Sequence, residues 1–144
     1  MSEEITNGAC SLLGIYKLGV EILSILSIIL QVLLALIFLM TGFMSISGNK
    51  QQIEQFEHLN LPQWFRIVTG LVQLIGVVGL VIGFWYPNIA ALAGLWAAIT
   101  MLGGFATHIK AKDPISKALP AFILAIIAII ITLINLSELL SVFK

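Results

Sequence analysis

Several polar or aromatic side chains fall within or at the ends of long apolar stretches, where they could bind a ligand. Amides and hydroxyls donate and accept hydrogen bonds, an indole adds an N–H donor and a flat ring, and an imidazole can exchange a proton near neutral pH. Such groups suit the carbonyls and ring of a quinone or the head of another lipophilic molecule. The candidate ligand-binding residues are Gln31, Ser45, Gln73, Trp96, Thr100 and His108.

The same residues also have a structural interpretation. Gln31 and Gln73 could hydrogen-bond between helices and fix their register, an interaction typically worth about 1 kcal/mol in a membrane. His108 could simply prefer the water at the end of a helix, and His58, on a polar segment, is expected to be a surface residue. Both interpretations stay open at the level of the sequence.

Metal and thiol chemistry have little support in the sequence. Two histidines and one cysteine, with no carboxylate inside the apolar stretches, supply too few ligands for a zinc or iron centre. A single cysteine, Cys10, also excludes an internal disulfide and a C-x-x-C motif. Haem between His58 and His108 stays open, although their spacing does not favour it. We predict no metal site, no catalytic residue and no intrinsic cofactor beyond a bound quinone or lipid.

The composition indicates a membrane protein. Hydrophobic residues make up 60% of the 144 residues and charged residues 10%, against about 45–50% and about 25% in soluble domains. The mean hydropathy is +1.10, so the lipid bilayer is the expected partner. Seven basic and seven acidic residues cancel, which argues against nucleic-acid binding.

The apolar stretches predict an all-α, integral membrane fold, a bundle of four transmembrane helices in one domain. Each stretch is uncharged and near the roughly 20 residues that a spanning helix needs. The predicted spans are residues 22–46, 67–84, 89–107 and 118–136. Residues 1–21 are predicted to be an N-terminal tail, with an amphipathic helix as one option, and residues 137–144 a C-terminal tail.

A polar connector joins the first two spans. Ile53, Phe56 and Leu59 recur on one helical face of it, with glutamine, glutamate and histidine around the rest. Pro62 and Trp64 then precede the second span, and tryptophan favours the headgroup level of a bilayer. This pattern predicts a short amphipathic helix at the membrane interface.

Small residues recur every three or four positions in the spans, which lets helix backbones approach closely. The pattern predicts a compact left-handed bundle with glycines at the helix contacts. The predicted packing glycines are Gly42, Gly76, Gly79, Gly83, Gly94 and Gly104.

Lysine and arginine predict the orientation of the bundle. The two polar loops hold Lys50, Arg66, Lys110, Lys112 and Lys117, whereas the terminal side holds Lys17 and Lys144. Because cytoplasmic loops carry the excess of positive charge, residues 47–66 and 108–117 are predicted to be cytoplasmic.

Four sequence motifs resemble the DoxX-like family of bacterial four-helix membrane proteins. They are LIFLMTGFMSISG at the end of the first span, L-P-x-W before the second, GLVQLIGVVGL within the second and GGFATHI at the end of the third. The resemblance covers roughly Leu30 to Leu133 and implies a multi-pass protein of the bacterial inner membrane. Family members often carry a lysine after the first-helix glycine and a glutamate within the second helix, where this chain has Ser45 or Ser47 and Gln73.

The resemblance implies a link to quinone-dependent redox complexes. The first hypothesis is an accessory subunit that binds a quinone or another lipophilic molecule and takes electrons from a redox partner protein. The alternative is a membrane assembly or interaction protein, chaperone-like or forming a homo-oligomer. A small transporter comes third, because the spans lack the ionisable residues of a transport route. Whether the chain is an enzyme stays open; if it is one, it is a quinone-linked oxidoreductase subunit.

Overall fold

The structure is a computed structural model that describes residues 1–144, and it contains helices and no strands. The helices are α1 (Ser2–Ile46), α2 (Lys50–His58), α3 (Gln63–Ile82), α4 (Pro87–Lys110), α5 (Ile115–Ile134) and α6 (Leu136–Ser141). Four of them, α1, α3, α4 and α5, are long and apolar enough to cross a membrane. The predicted all-α bundle of four spans is confirmed, and α2 is the amphipathic helix expected between the first two.

Three helices end in the same reversal of the chain. Gly48, Asn60 and Lys112 have positive φ angles of 72°, 55° and 57°, and the next amide donates back into the last helical turn. The amide of Asp113, for instance, donates to the carbonyl of His108 at 3.1 Å. This arrangement satisfies carbonyls that the end of a helix leaves free, and it directs the following residue back over its own helix.

Helix α1 is much longer than a membrane is thick. Its 45 residues span about 67 Å at 1.5 Å per residue, against a hydrocarbon core of roughly 30 Å. Residues 1–26 are all exposed, and the residues that face the bundle begin at Ser27. The segment predicted to be an N-terminal tail is therefore helical and continuous with the first span.

The bundle is built from two closely packed pairs, α1 with α3 and α4 with α5, and contacts of α3 with α4 and of α1 with α5 close it. Its core consists of large apolar side chains interleaved with alanines. The largest fully buried apolar side chains are Phe38, Leu34, Leu80 and Ile131.

Glycines set how closely the helices approach. A Cβ on Gly70 would lie 2.8 Å from the carbonyl oxygen of Gly42, and one on Gly94 would lie 2.7 Å from the hydroxyl of Thr132. Cβ atoms at the predicted positions Gly42, Gly76, Gly79 and Gly83 would meet a neighbouring helix at 2.7–3.4 Å. Gly104 differs, because a Cβ there would meet nothing within 4 Å. Gly70 was not among the predicted packing glycines, and it lies where α1 and α3 cross.

Candidate ligand-binding cavity

A cavity of about 640 Å³ lies between the helices at the end where α2 and the α4–α5 loop are found. Its wall is mostly apolar, with Val72 from α3, Ile99 from α4 and Leu124 from α5. Gly103 and Gly104 leave room because neither carries a side chain. Ile99 is itself well exposed, so the cavity is open toward the lipid-facing surface. Its volume falls within the roughly 300–1,000 Å³ of small-molecule sites.

Four of the six predicted ligand-binding residues line this cavity: Ser45, Gln73, Thr100 and His108. They come from three helices, α1, α3 and α4, that are separate along the chain. The Thr100 hydroxyl donates to the carbonyl of Trp96 within its own helix at 2.8 Å. Of these four, Ser45, Gln73 and His108 are the residues whose side chains do not hydrogen-bond to their own helix.

The other two residues lie elsewhere. Gln31 is 2% exposed and donates from Nε2 to the hydroxyl of Ser27 at 2.9 Å, while the Asn135 amide donates to the same oxygen at 2.8 Å. These three side chains form a polar cluster that joins α1 to the end of α5. Trp96 is not among the cavity residues, and its Nε1 donates to the carbonyl of Val72 at 3.0 Å. Trp96 therefore joins α4 to α3, whereas the hydrogen bond of Gln31 stays within α1 and Asn135 makes the link to α5.

Gln73 lies on the cavity wall with an amide oxygen that has no partner. The residue is 7% exposed, and Oε1 is buried without a hydrogen bond. A buried polar atom left unsatisfied costs about 1–3 kcal/mol, and such atoms are uncommon in folded proteins. Gln73 therefore brings to the cavity wall an acceptor that no group of the protein satisfies.

Helix α2 closes the polar end of the cavity. Its only buried residue is Phe56, which lines the cavity together with Gln52 and Gln55 of the same helix. The Ser45 hydroxyl donates to Gln52 Oε1 at 3.3 Å, and the Gln55 amide nitrogen lies 3.4 Å from His108 Nε2. Because these hydrogen bonds are long, Ser45 and His108 are only weakly bonded to α2.

Asp113 joins two histidines. Its Oδ1 lies 2.5 Å from Nε2 of His58 on α2, and its Oδ2 lies 2.8 Å from Nδ1 of His108 on α4. The Asp113 side chain is 3% exposed, whereas that of His58 is 51% exposed. Hydrogen bonds from His108 and then His58, with the positive charges of His58 and Lys117, hold the pKa of Asp113 below its ordinary value, although burial opposes this. The carboxylate thus fastens α2 to the α4–α5 loop.

Arg66 supports the same end of the bundle from α3. It is buried, donates from its guanidinium to the carbonyl of Ser45, and donates from Nε to Gln63 Oε1 at 3.0 Å. The last turn of α1 contains no basic residue of its own. Arg66 therefore supplies the positive charge that stabilises the C-terminal end of a helix.

Metal ligands are not gathered anywhere in the structure. No group of three or more histidine, cysteine, aspartate or glutamate side chains is arranged to hold a metal ion. Cys10, the one cysteine, is exposed on the projecting part of α1.

Four membrane-spanning helices around a largely apolar cavity, with an amphipathic helix across its polar end, define a small multi-pass membrane protein. The chain belongs to the DoxX-like family, whose model matches residues 29–130. It is 31% identical over 107 residues to the uncharacterized protein YdgD of Bacillus subtilis (strain 168), a match that covers 74% of this chain and 94% of that protein. No solved structure matches the chain. The resemblance inferred from the sequence motifs is thereby confirmed.

Proposed function

We propose that this DoxX-like protein binds a lipophilic molecule with a hydrogen-bonding head, of the quinone class, in the cavity that α1, α3, α4 and α5 line and α2 closes. The unpartnered Gln73 amide on the cavity wall is the observation that supports this proposal most strongly. A quinone offers both an apolar body for the wall and oxygen atoms for the amide.

The distribution of polar groups suits a molecule of this kind. Ser45 and His108 lie toward α2, and Gln73 lies further along α3 among apolar side chains. A ring with oxygen atoms at opposite ends can contact both regions. The terminal atoms of an amide exchange places on a 180° rotation, so Gln73 can donate to a carbonyl or accept from a hydroxyl.

The protein would act as an accessory subunit. Its chain brings together no metal-binding cluster, so electrons would come from a redox partner in the membrane. In this arrangement the protein holds the lipophilic molecule within the bilayer and leaves electron transfer to the partner.

Native mass spectrometry and lipid extraction on protein purified in mild detergent test the proposal. Wild-type protein should carry a stoichiometric lipophile that is lost in Gln73→Leu. Gln31→Leu is the matched control, because Gln31 is also a buried amide but lies outside the cavity, and it should retain the lipophile. A wild-type bundle free of lipophile, or equal loss in both variants, would overturn the proposal.

Assembly is the second candidate function. Residues 1–26 of α1 project from the bundle with every residue exposed, including Leu12, Leu13 and Tyr16. A helix surface of this kind suits contact with a second copy or another membrane protein. Deletion of residues 2–21 should then reduce the number of chains per complex in the purified protein, whereas under ligand binding alone that number would not change.

A further inference from the structure

We propose that Nε2 of His108 accepts a hydrogen bond from a hydroxyl on the bound molecule, so that the cavity prefers a hydroquinone or another phenol to a fully O-alkylated form of the same ring. Asp113 is the positioning residue for this imidazole. The inference rests on the proposed function and names the chemical class of its ligand.

The contact with Asp113 fixes where the imidazole carries its proton. The low pKa of Asp113 keeps the carboxylate ionised at neutral pH, and an ionised carboxylate only accepts hydrogen bonds. Its Oδ2 lies 2.8 Å from Nδ1 of His108, so Nδ1 must be the donor. In the neutral ring the lone pair is then on Nε2.

That lone pair lies at the polar end of the cavity. His108 is among the cavity residues, and the partner of Nε2 is the Gln55 amide nitrogen at 3.4 Å. This distance is beyond the 2.7–3.2 Å of a good N–H hydrogen bond. A ligand hydroxyl could therefore displace Gln55 from Nε2.

The local groups favour a hydrogen bond at this position. The ligand hydroxyl keeps its proton and donates to Nε2 of His108, with no redox step. Asp113 holds Nε2 as the acceptor by accepting from Nδ1, and Lys117 of α5 lines the same cavity. Of the other charged or titratable groups, His58 of α2 contacts Oδ1 of Asp113, and Arg66 of α3 donates to the carbonyl of Ser45.

Two observations of the free protein test the positioning step. Ring ¹⁵N spectra of the detergent-solubilised full chain should show His108 protonated on Nδ1 at a pH where the ring is neutral. Asp113→Asn should shift the proton to Nε2, because an asparagine amide can donate to Nδ1, and Asp113→Glu should restore the Nδ1 form. A wild-type His108 protonated on Nε2 would overturn the inference, whatever the ligand.

Binding of two matched probes tests the ligand class. A decyl-substituted hydroquinone monomethyl ether and the corresponding dimethyl ether share a ring and a tail and differ in one hydroxyl, and the monomethyl ether should bind roughly tenfold more tightly, as expected for one added hydrogen bond. The preference should vanish in His108→Phe and in Asp113→Asn but persist in Gln31→Leu. Equal binding of both probes would overturn this inference and leave the proposed function standing, whereas binding of neither would overturn both.

Discussion

Gln31 and Gln73 each carry a buried amide oxygen without a hydrogen-bond partner, and only Gln73 lies on the cavity. Gln31 is held by Ser27 through its amide nitrogen. The two residues thus have the same chemistry and similar burial but different surroundings. They form a matched pair in which the contribution of the cavity can be separated from that of an amide in the membrane.

Replacement of Gln73 by leucine should stabilise the ligand-free protein. The substitution removes an unsatisfied polar group from an apolar wall, so the free energy of unfolding should rise by about 1 kcal/mol. Gln31→Leu also removes an unsatisfied oxygen, but it breaks the hydrogen bond to Ser27, so its free energy of unfolding should rise less or not at all. Thermal unfolding of delipidated protein in detergent measures both. A Gln73→Leu variant less stable than Gln31→Leu would show that Gln73 is a structural residue.

Two glycines of α4 should respond oppositely to alanine. In Gly94→Ala the new Cβ would lie 2.7 Å from the hydroxyl of Thr132 and 2.9 Å from the carbonyl of Ala128, which should destabilise the α4–α5 pair by about 1–3 kcal/mol. In Gly104→Ala the Cβ meets open space, so better helix propensity should stabilise the protein by up to about 1 kcal/mol. Thermal unfolding of the two variants side by side tests the packing, and a loss in Gly104→Ala equal to that in Gly94→Ala would contradict it.

Acid should release α2 from the α4–α5 loop. Because the pKa of Asp113 is lowered from 3.8 in the folded protein, the carboxylate stabilises the fold above pH 3.8, and this contribution is lost as the pH falls through the lower folded value. Asp113→Asn should lack this dependence and be less stable at neutral pH. Unfolding followed between pH 7 and pH 2 measures the difference, and parallel profiles for the two proteins would argue against the bridge.

Cys10 provides a native label for orientation. The positive-inside rule predicts that the loops of residues 47–66 and 108–117 are cytoplasmic, which places the N-terminus outside. Cys10 is the one cysteine and is exposed, so a membrane-impermeant maleimide should label it in intact spheroplasts. A Cys10→Ser, Ser47→Cys variant should be labelled only after lysis. The reverse labelling pattern would show that the orientation is opposite to the predicted one.

Hydropathy and periodicity predict the bundle because they follow from local chemistry. Uncharged stretches of spanning length admit few other structures in a bilayer, and glycines repeated at helical spacing lie at helix contacts such as Gly94 against Thr132. The length of α1 was harder to predict from the sequence. Glu3, Glu4, Lys17 and Glu21 break the apolar pattern of residues 1–21 without preventing a helix.

The candidate site could be predicted only in part from the sequence. Periodicity predicts which face of a helix a residue lies on, but it does not predict which residues of the other helices lie at the same level in the bundle. Gln31 shares a face with Ser45 but precedes it by 14 residues, about 21 Å along the helix, and so lies in another part of the bundle. Asp113 was missed because it reaches His108 only through the reversal at Lys112. Gln52 and Gln55 were missed because their role depends on where α2 docks.

Photolabelling with a quinone that carries a photoreactive group on its ring tests the central claim most directly. Peptides from α3, α4 and α5 that contain the cavity residues should be labelled, and unlabelled quinone should compete. Gly104→Leu should abolish this labelling by filling the cavity, whereas Gly19→Leu, also in open space but on the projecting part of α1, should not. Labelling spread evenly over the lipid-facing residues and unchanged in Gly104→Leu would contradict the account.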